Sequence, residues 1–363
     1  MSGVIRPFES TDHHHAANED FTWVVPAPML NAIHQVIELL GLNDETFEGA
    51  SVSDSQQLYQ TSNKYYQREQ MLPRVTTRNK WYQGGGSQPI FTSTYAGNHL
   101  ITASEAMAMY LLIWSPTLWA EITIECDDIK PQHQKCYQQE LAAIKEFSQG
   151  LAQVQRLMAH LPTYMIFDDH DVTDDWNLTA QWEQAAYQDP FSKRIIGNML
   201  MAYWLCQGWG NDPKQFKGDF SVIANTYYDN PNKENHDSFI DYLFDFEHWQ
   251  YCLETTPKVV VLDSRTRRWR SENNINQPSG LMDWEALCDL QQELIGQPAV
   301  ILVSPAPMFG VKVIEAIQRI ATTLGQPLAV DAENWMAHPG SASTLLNIFN
   351  TPENPSSFCD FVG

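Results

Sequence analysis

The chain has 363 residues, 43% of them hydrophobic and 12% aromatic, enough for a sizeable core and more than one usual domain length. Twelve Trp and fourteen Tyr argue against disorder, because disordered chains are poor in aromatics. Asp and Glu number 44 against 22 Lys and Arg, a formal charge of −22, which disfavours a nucleic-acid partner, since phosphate backbones are bound through clustered Lys and Arg.

The longest basic stretch is Arg265-Thr266-Arg267-Arg268-Trp269-Arg270. Six cysteines, at 126, 136, 206, 252, 288 and 359, form no C-x-x-C pair and no zinc-like spacing, and read as reduced thiols. The chain opens without a charged segment followed by an apolar run. Its apolar stretches, such as 106–114, fall far short of the roughly 20 residues of a membrane-spanning helix. A cytoplasmic protein with no membrane contact is the expectation.

Residues 1–22 are polar, include His13-His14-His15, and read as a tail. The remainder, 23–363, reads as one domain with an insertion around 43–100. Pro28 opens a helix on which Met29, Ile33, Val36, Ile37 and Leu40 recur at helical spacing, and Gly41 stops it. Residues 43–100 are polar, with a loop at Gly84-Gly85-Gly86. Thr102-Ala103-Ser104-Glu105 fits a capping box ahead of a buried helix ending near Pro116. A long helix is expected over 135–160, with Leu141, Ile144, Phe147, Leu151, Val154 and Met158 on one face.

From there the pattern alternates. Tyr164-Met165-Ile166-Phe167 is a short apolar run ending at acids, and 191–206 reads as a helix with Ile195, Met199, Tyr203 and Cys206 on one side. Lys258–Leu262 and Ala299–Val303 read as buried strands, separated by a helix at 283–295 and followed by another at 311–324. Strands alternating with helices point to a covered α/β sheet, in which ligands collect beyond the carboxyl ends of strands. Asp168, Asp263 and Ser304 stand at those three ends.

The segment richest in chemistry is Phe167-Asp168-Asp169-His170-Asp171-Val172-Thr173-Asp174-Asp175. Clustered carboxylates repel one another unless a cation or base neutralises them. Hard cations choose carboxylate oxygens, and imidazole suits iron, zinc or manganese. A solvated acidic loop capping the next helix is the equal alternative.

Leu161-Pro162-Thr163-Tyr164-Met165-Ile166-Phe167-Asp168-Asp169-His170-Asp171-Val172 resembles a signature of the PhoD-like alkaline phosphatases. Val261–Arg268, the Ser304-Pro305-Ala306-Pro307 strand end, and the Asp331, Glu333 and Trp335 segment are similar to other parts of that family, in the same order. The resemblance implies a calcineurin-like metallophosphoesterase, an α/β (α+β) two-sheet sandwich flanked by helices. It implies hydrolysis of small phosphate esters by a metal-activated water. In that reading Asp168 and Asp169 are metal ligands for iron, calcium, zinc or manganese. His170 stabilises the transition-state charge or protonates the leaving oxygen. Arg265 holds a phosphate oxygen, with a structural salt bridge to Asp263 or a neighbour as its alternative.

The chain departs from the family pattern at two places. Ala17–Trp23 stands where a Gly-Asp-x-x-Tyr-Ala-Asp segment is usual, and Phe358–Gly363 stands before an expected Ser-Gly-Asp-Val-His segment. The resemblance therefore implies a sandwich lacking its terminal strands and a weak phosphatase. The second reading is a non-catalytic remnant acting as a binding or interaction module; a glycoside hydrolase using two carboxylates from 168–175 is a distant third.

Overall fold

A computed structural model describes residues 25–42, 99–124, 129–173, 175–271, 273–275, 277–308, 335 and 338–349, with the backbone of strands at 74–77, 86–89 and 359–362. The 1–22 tail with its histidines, the 311–324 helix, Asp174, Asp331 and Glu333 lie outside the described residues.

Helices dominate. In chain order they are α1 (Ala27–Leu40), α2 (Ala103–Trp114), α3 (Gln134–Met158), α4 (Ala180–Gln188), α5 (Pro190–Tyr203), α6 (Asp219–Asp229), α7 (Lys233–Phe244), α8 (Trp284–Leu294) and α9 (Pro339–Phe349). The strands are β1 (Arg74–Thr77) and β2 (Gly86–Pro89), an antiparallel pair inside the expected insertion, then β3 (Tyr251–Leu253), β4 (Lys258–Val261), β5 (Val300–Val303) and β6 (Cys359–Val362). The last four form one small open sheet in the order β3-β4-β5-β6. β3 runs antiparallel to β4, and β4, β5 and β6 are parallel.

The expected two-sheet sandwich is thus corrected: the described residues are mostly helical, with one small open four-stranded sheet and the separate β1–β2 pair. The core divides accordingly. A large cluster spans α1 to α7, with α2 between α1 and α5, and α7 against α5 and α6. A smaller cluster joins the sheet to α8 and α9.

Local signals placed several elements correctly. The Thr102 hydroxyl accepts from the Glu105 backbone N–H at 3.0 Å while the Glu105 carboxylate takes the Thr102 N–H at 3.3 Å, so two orphan donors of the α2 N-terminus are satisfied reciprocally. Glu105 also accepts from the Ile101 N–H at 2.7 Å and meets His34 Nε2 at 2.9 Å, tying α2 to α1. Gly41 closes α1 at φ 63°, a left-handed conformation that favours glycine. On α3, Leu141, Ile144 and Leu151 are buried.

The run Tyr164–Phe167 is not a strand. A strand's backbone is satisfied by a neighbouring strand, but here side chains take that role. The Met165 N–H donates to Asn211 Oδ1 at 3.1 Å. Its carbonyl accepts from Asn211 Nδ2 at 2.6 Å and from the Tyr251 hydroxyl at 3.0 Å. Phe167 then anchors the segment in the helical core, packed edge-on against Trp176, Tyr203 and Trp249.

A second departure occurs after α5. Ile195, Met199 and Tyr203 are buried as expected, yet Cys206 is exposed. A π-helical turn at Trp204–Gly208 inserts an extra residue into the helical phase and rotates Cys206 outward.

The α5–α7 contact is close at Gly197. A Cβ at Gly197 would lie 2.4–2.8 Å from the branched carbons of Ile240, and nearby Arg194 donates to His236 Nδ1 at 3.0 Å. Burial, reinforced by Arg194, holds the His236 pKa down to about 3, so the ring is neutral and its proton sits on Nε2. Gly197→Ala gains about 1 kcal/mol of helix propensity, but overpacking of this kind costs about 1–3 kcal/mol. Denaturant unfolding should show a net loss, and the Gly197→Ala/Ile240→Ala double variant should lose less than the sum of its parts. An unchanged or raised midpoint for Gly197→Ala would contradict the contact.

Candidate functional site

The four residues expected to carry chemistry do converge. Asp168 precedes a short 3-10 turn, Asp169–Asp171, and its carboxylate caps that turn by accepting from the Asp169 N–H at 2.9 Å. Asp169 is fully buried; its Oδ2 accepts from the Asp175 N–H at 3.1 Å, folding the acidic loop back on itself. His170 is partly exposed, with Nε2 3.8 Å from Asp169 Oδ1.

Arg265 arrives from the loop after β4. Its guanidinium is 1% exposed, with Nε donating to Asp168 Oδ1 at 2.7 Å and Nη2 reaching the same oxygen. The same Nη2 lies 3.2 Å from Asp169 Oδ1. The cation that offsets the acidic cluster in this arrangement is an arginine. A divalent ion placed between the two carboxylates would stand against that guanidinium, so Asp168 and Asp169 as arranged do not fit a metal. Among the described residues no group of three or more His, Cys, Asp or Glu side chains has metal-holding geometry.

The other strand-end residues are engaged in the same inward manner. β4 and β5 are parallel with Val261 opposite Val303, so Asp263 and Ser304 follow them at one sheet edge. Asp263 is buried, which raises its pKa, while its Oδ1 accepts from the Arg265 and Thr266 N–H groups, each at 2.9 Å, and its Oδ2 from the Thr266 hydroxyl. This turn aims Arg265 at Asp168. Ser304 donates to the Ala306 carbonyl at 2.8 Å and accepts from the Trp335 indole at 3.0 Å.

Arg268 and Asn177 have structural parts that no local sequence pattern marks. Arg268 is buried and donates to the carbonyls of Ser279 at 3.1 Å, Gly280 at 3.3 Å and Trp176 at 3.4 Å. Asn177 donates to the Arg265 carbonyl at 3.0 Å. Asn177 (φ 61°) and Asp175 (φ 59°) are left-handed, a conformation Asn and Asp tolerate better than other side chains. The Asp-Asp-Trp-Asn composition was the available signal for this loop, but its partners lie about 90 residues away in sequence, beyond local pattern.

Asp171 accepts from the Asp168 N–H at 2.8 Å. Burial pushes its pKa up to about 6, and the Asp168 charge adds to the rise, against opposing pulls from the Asp168 N–H, His170 and Arg265. Because the folded chain holds this proton more tightly than the unfolded chain, the contribution is full below about pH 4. It is lost as pH rises toward 6 and stays lost above. Asp171→Asn keeps an acceptor for the Asp168 N–H without ionising. It should be more stable than the parent at pH 7 and nearly equal at pH 4, measured by denaturant midpoints. A variant equally destabilised at both values would contradict the raised pKa.

No protein family, no curated protein and no solved structure matches this chain. The resemblance to PhoD-like phosphatases, carried by four short segments, is overturned by the architecture of the described residues, which is mostly helical with a small open four-stranded sheet and no two-sheet sandwich. Asp168, Asp169, Asp263, Arg265 and Ser304, from three of those segments, are instead turned to partners within the protein.

Proposed function

We propose that this chain is a non-catalytic binding or interaction module working in the cytoplasm. The observation that carries the reading is the pairing of Asp168 and Asp169 with the buried Arg265, which turns the most chemically suggestive cluster inward. Asp263 and Ser304 are likewise occupied by the protein's own backbone and by Trp335.

The outer surface supplies the side chains such a module uses. Trp209, Trp269, Trp284, Leu157, Leu161 and Tyr164 are all exposed, and large apolar side chains outside a core mark interaction surfaces when they cluster. Trp and Tyr are also the residues most often found at the energetic centre of protein interfaces. No helix among the described residues is long and apolar enough to cross a membrane, in keeping with a partner met in water. A formal charge of −22 directs the module away from nucleic acid.

The test is turnover. Purified chain incubated with chromogenic phosphate mono- and diesters, in the presence of iron, calcium, zinc or manganese, should give no rate above the metal-only blank. Asp169→Ala should leave that background unchanged. Turnover that appears with one of these metals and vanishes in Asp169→Ala would overturn the reading.

A further inference from the structure

The exposed aromatic side chains are not scattered evenly. At the π-helical turn, Trp204 is buried and stacks on Trp209 with ring centroids 5.6 Å apart and planes 18° apart. Tyr228, from α6, flanks Trp204 at 6.3 Å. Trp209 is 48% exposed and Tyr228 43%, and Leu205 projects from the same turn at 37%. One buried indole thus carries two half-exposed rings, and Leu205, four residues before Trp209 on the same helical run, is exposed as well. Among the described residues the Trp204 Nε1 donor has no hydrogen-bond partner, and the stack is built of ring packing. π-Helical turns of this kind are frequent at functional sites because they re-aim the side chains around them.

Charge selects the occupant. Across residues 204–245 seven carboxylates stand against three lysines. Asp237 is taken up by Arg194 and Lys233, and Asp241 by Lys193, which leaves Asp212, Asp219, Asp229, Glu234 and Asp245 against Lys214 and Lys217. A second copy of this chain would bring a further −22 to the face, which like-charge repulsion opposes. A cationic side chain over an indole or phenol face is attracted by the ring quadrupole, and its aliphatic stem packs on apolar neighbours. Resting on the interaction-module reading, we propose that the Leu205–Trp209–Tyr228 face docks an arginine- or lysine-bearing segment of a partner protein. The segment's cationic heads lie over the two rings, its stems on Leu205, and the surrounding carboxylates steer it in.

The probe is a fluorescein-labelled peptide of alternating Arg and Leu, compared with versions carrying Lys or Glu in place of Arg. Anisotropy titrations against the full chain should give saturable binding for Arg and weaker binding for Lys, both falling as salt rises. The Glu peptide should not bind. Trp209→Ala and Tyr228→Ala should each weaken the Arg peptide by at least about 10-fold, as expected for a central aromatic contact. Trp284→Ala, at a site 65% exposed on α8, which packs in the sheet cluster rather than the helical one, should leave it unchanged. Thermal melts identify any variant that fails to fold, and Trp209→Leu, which keeps apolar bulk without the ring, should also lose binding.

Saturable binding that survives both Trp209→Ala and Tyr228→Ala would overturn this surface while leaving the interaction-module reading in place. Absence of binding, or equal binding of the Glu peptide, would overturn the assigned chemistry. Concentration-dependent dimerisation abolished by Trp209→Ala would overturn it in favour of a second copy. Metal-dependent turnover lost in Asp169→Ala would instead overturn the interaction-module reading, so the two failures are distinguishable.

Discussion

The pairing of Arg265 with Asp168 and Asp169 is the contact on which the arrangement of this molecule turns. Phe167, Val172 and Trp176, which bracket the acidic residues, belong to the helical core, whereas Val260 and Leu262, which precede the arginine, belong to the sheet cluster. The guanidinium bridges the two. Arg265 and Asp169 are buried while Asp168 is part-exposed. Taking such charges out of water is costly unless each is paired and hydrogen-bonded, and removing one partner of a buried pair costs about 3–5 kcal/mol. The pair therefore specifies where the loops meet more than it adds stability.

Around it the seam closes by polar contacts from both sides. Asp263 fixes the turn that aims Arg265, and Asn177 holds the Arg265 carbonyl. Arg268 gathers carbonyls from Trp176, Ser279 and Gly280. The Ser279 N–H donates to the Leu178 carbonyl at 2.8 Å, completing the stitch. In a low-dielectric setting such networks are strong when complete and costly when broken. The same residue types at the end of a strand in an enzyme would face outward to a ligand. Here they face one another, and the surface is left to apolar side chains and unbalanced carboxylates.

The legible part of the sequence was local. The Thr102–Glu105 capping box, the Gly41 stop, and the cores of the β4 and β5 strands depend on residues within a few positions of each other, and each is found where the pattern put it. Of the candidate site, the convergence of Asp168, Asp169, His170 and Arg265 was readable, but not its meaning. An acidic cluster needs a cation, and composition does not say whether a metal or a distant arginine provides it. Two structural features were beyond local pattern for the same reason. The Tyr164–Phe167 run has a strand's composition, yet its backbone is satisfied by Asn211 and Tyr251. At the π-helical turn Trp204–Gly208, a Cβ on Gly208 would meet Tyr203 at 3.1 Å, Trp249 at 3.5 Å and Phe216 at 3.6 Å, and the last two are tertiary neighbours with no sequence period. The resemblance to a phosphatase family failed because short segments of Asp, His, Arg and Pro served loop geometry here.

The most direct test of this account is a double-mutant cycle between Arg265→Ala and Asp169→Ala, read by denaturant unfolding with and without a metal chelator. Residues in one buried charge network couple by about 0.5–3 kcal/mol. The account predicts a coupling in the upper part of that range, unchanged by the chelator. Additive single effects, or a coupling that appears only when metal is removed, would contradict the claim that the arginine neutralises the acidic loop.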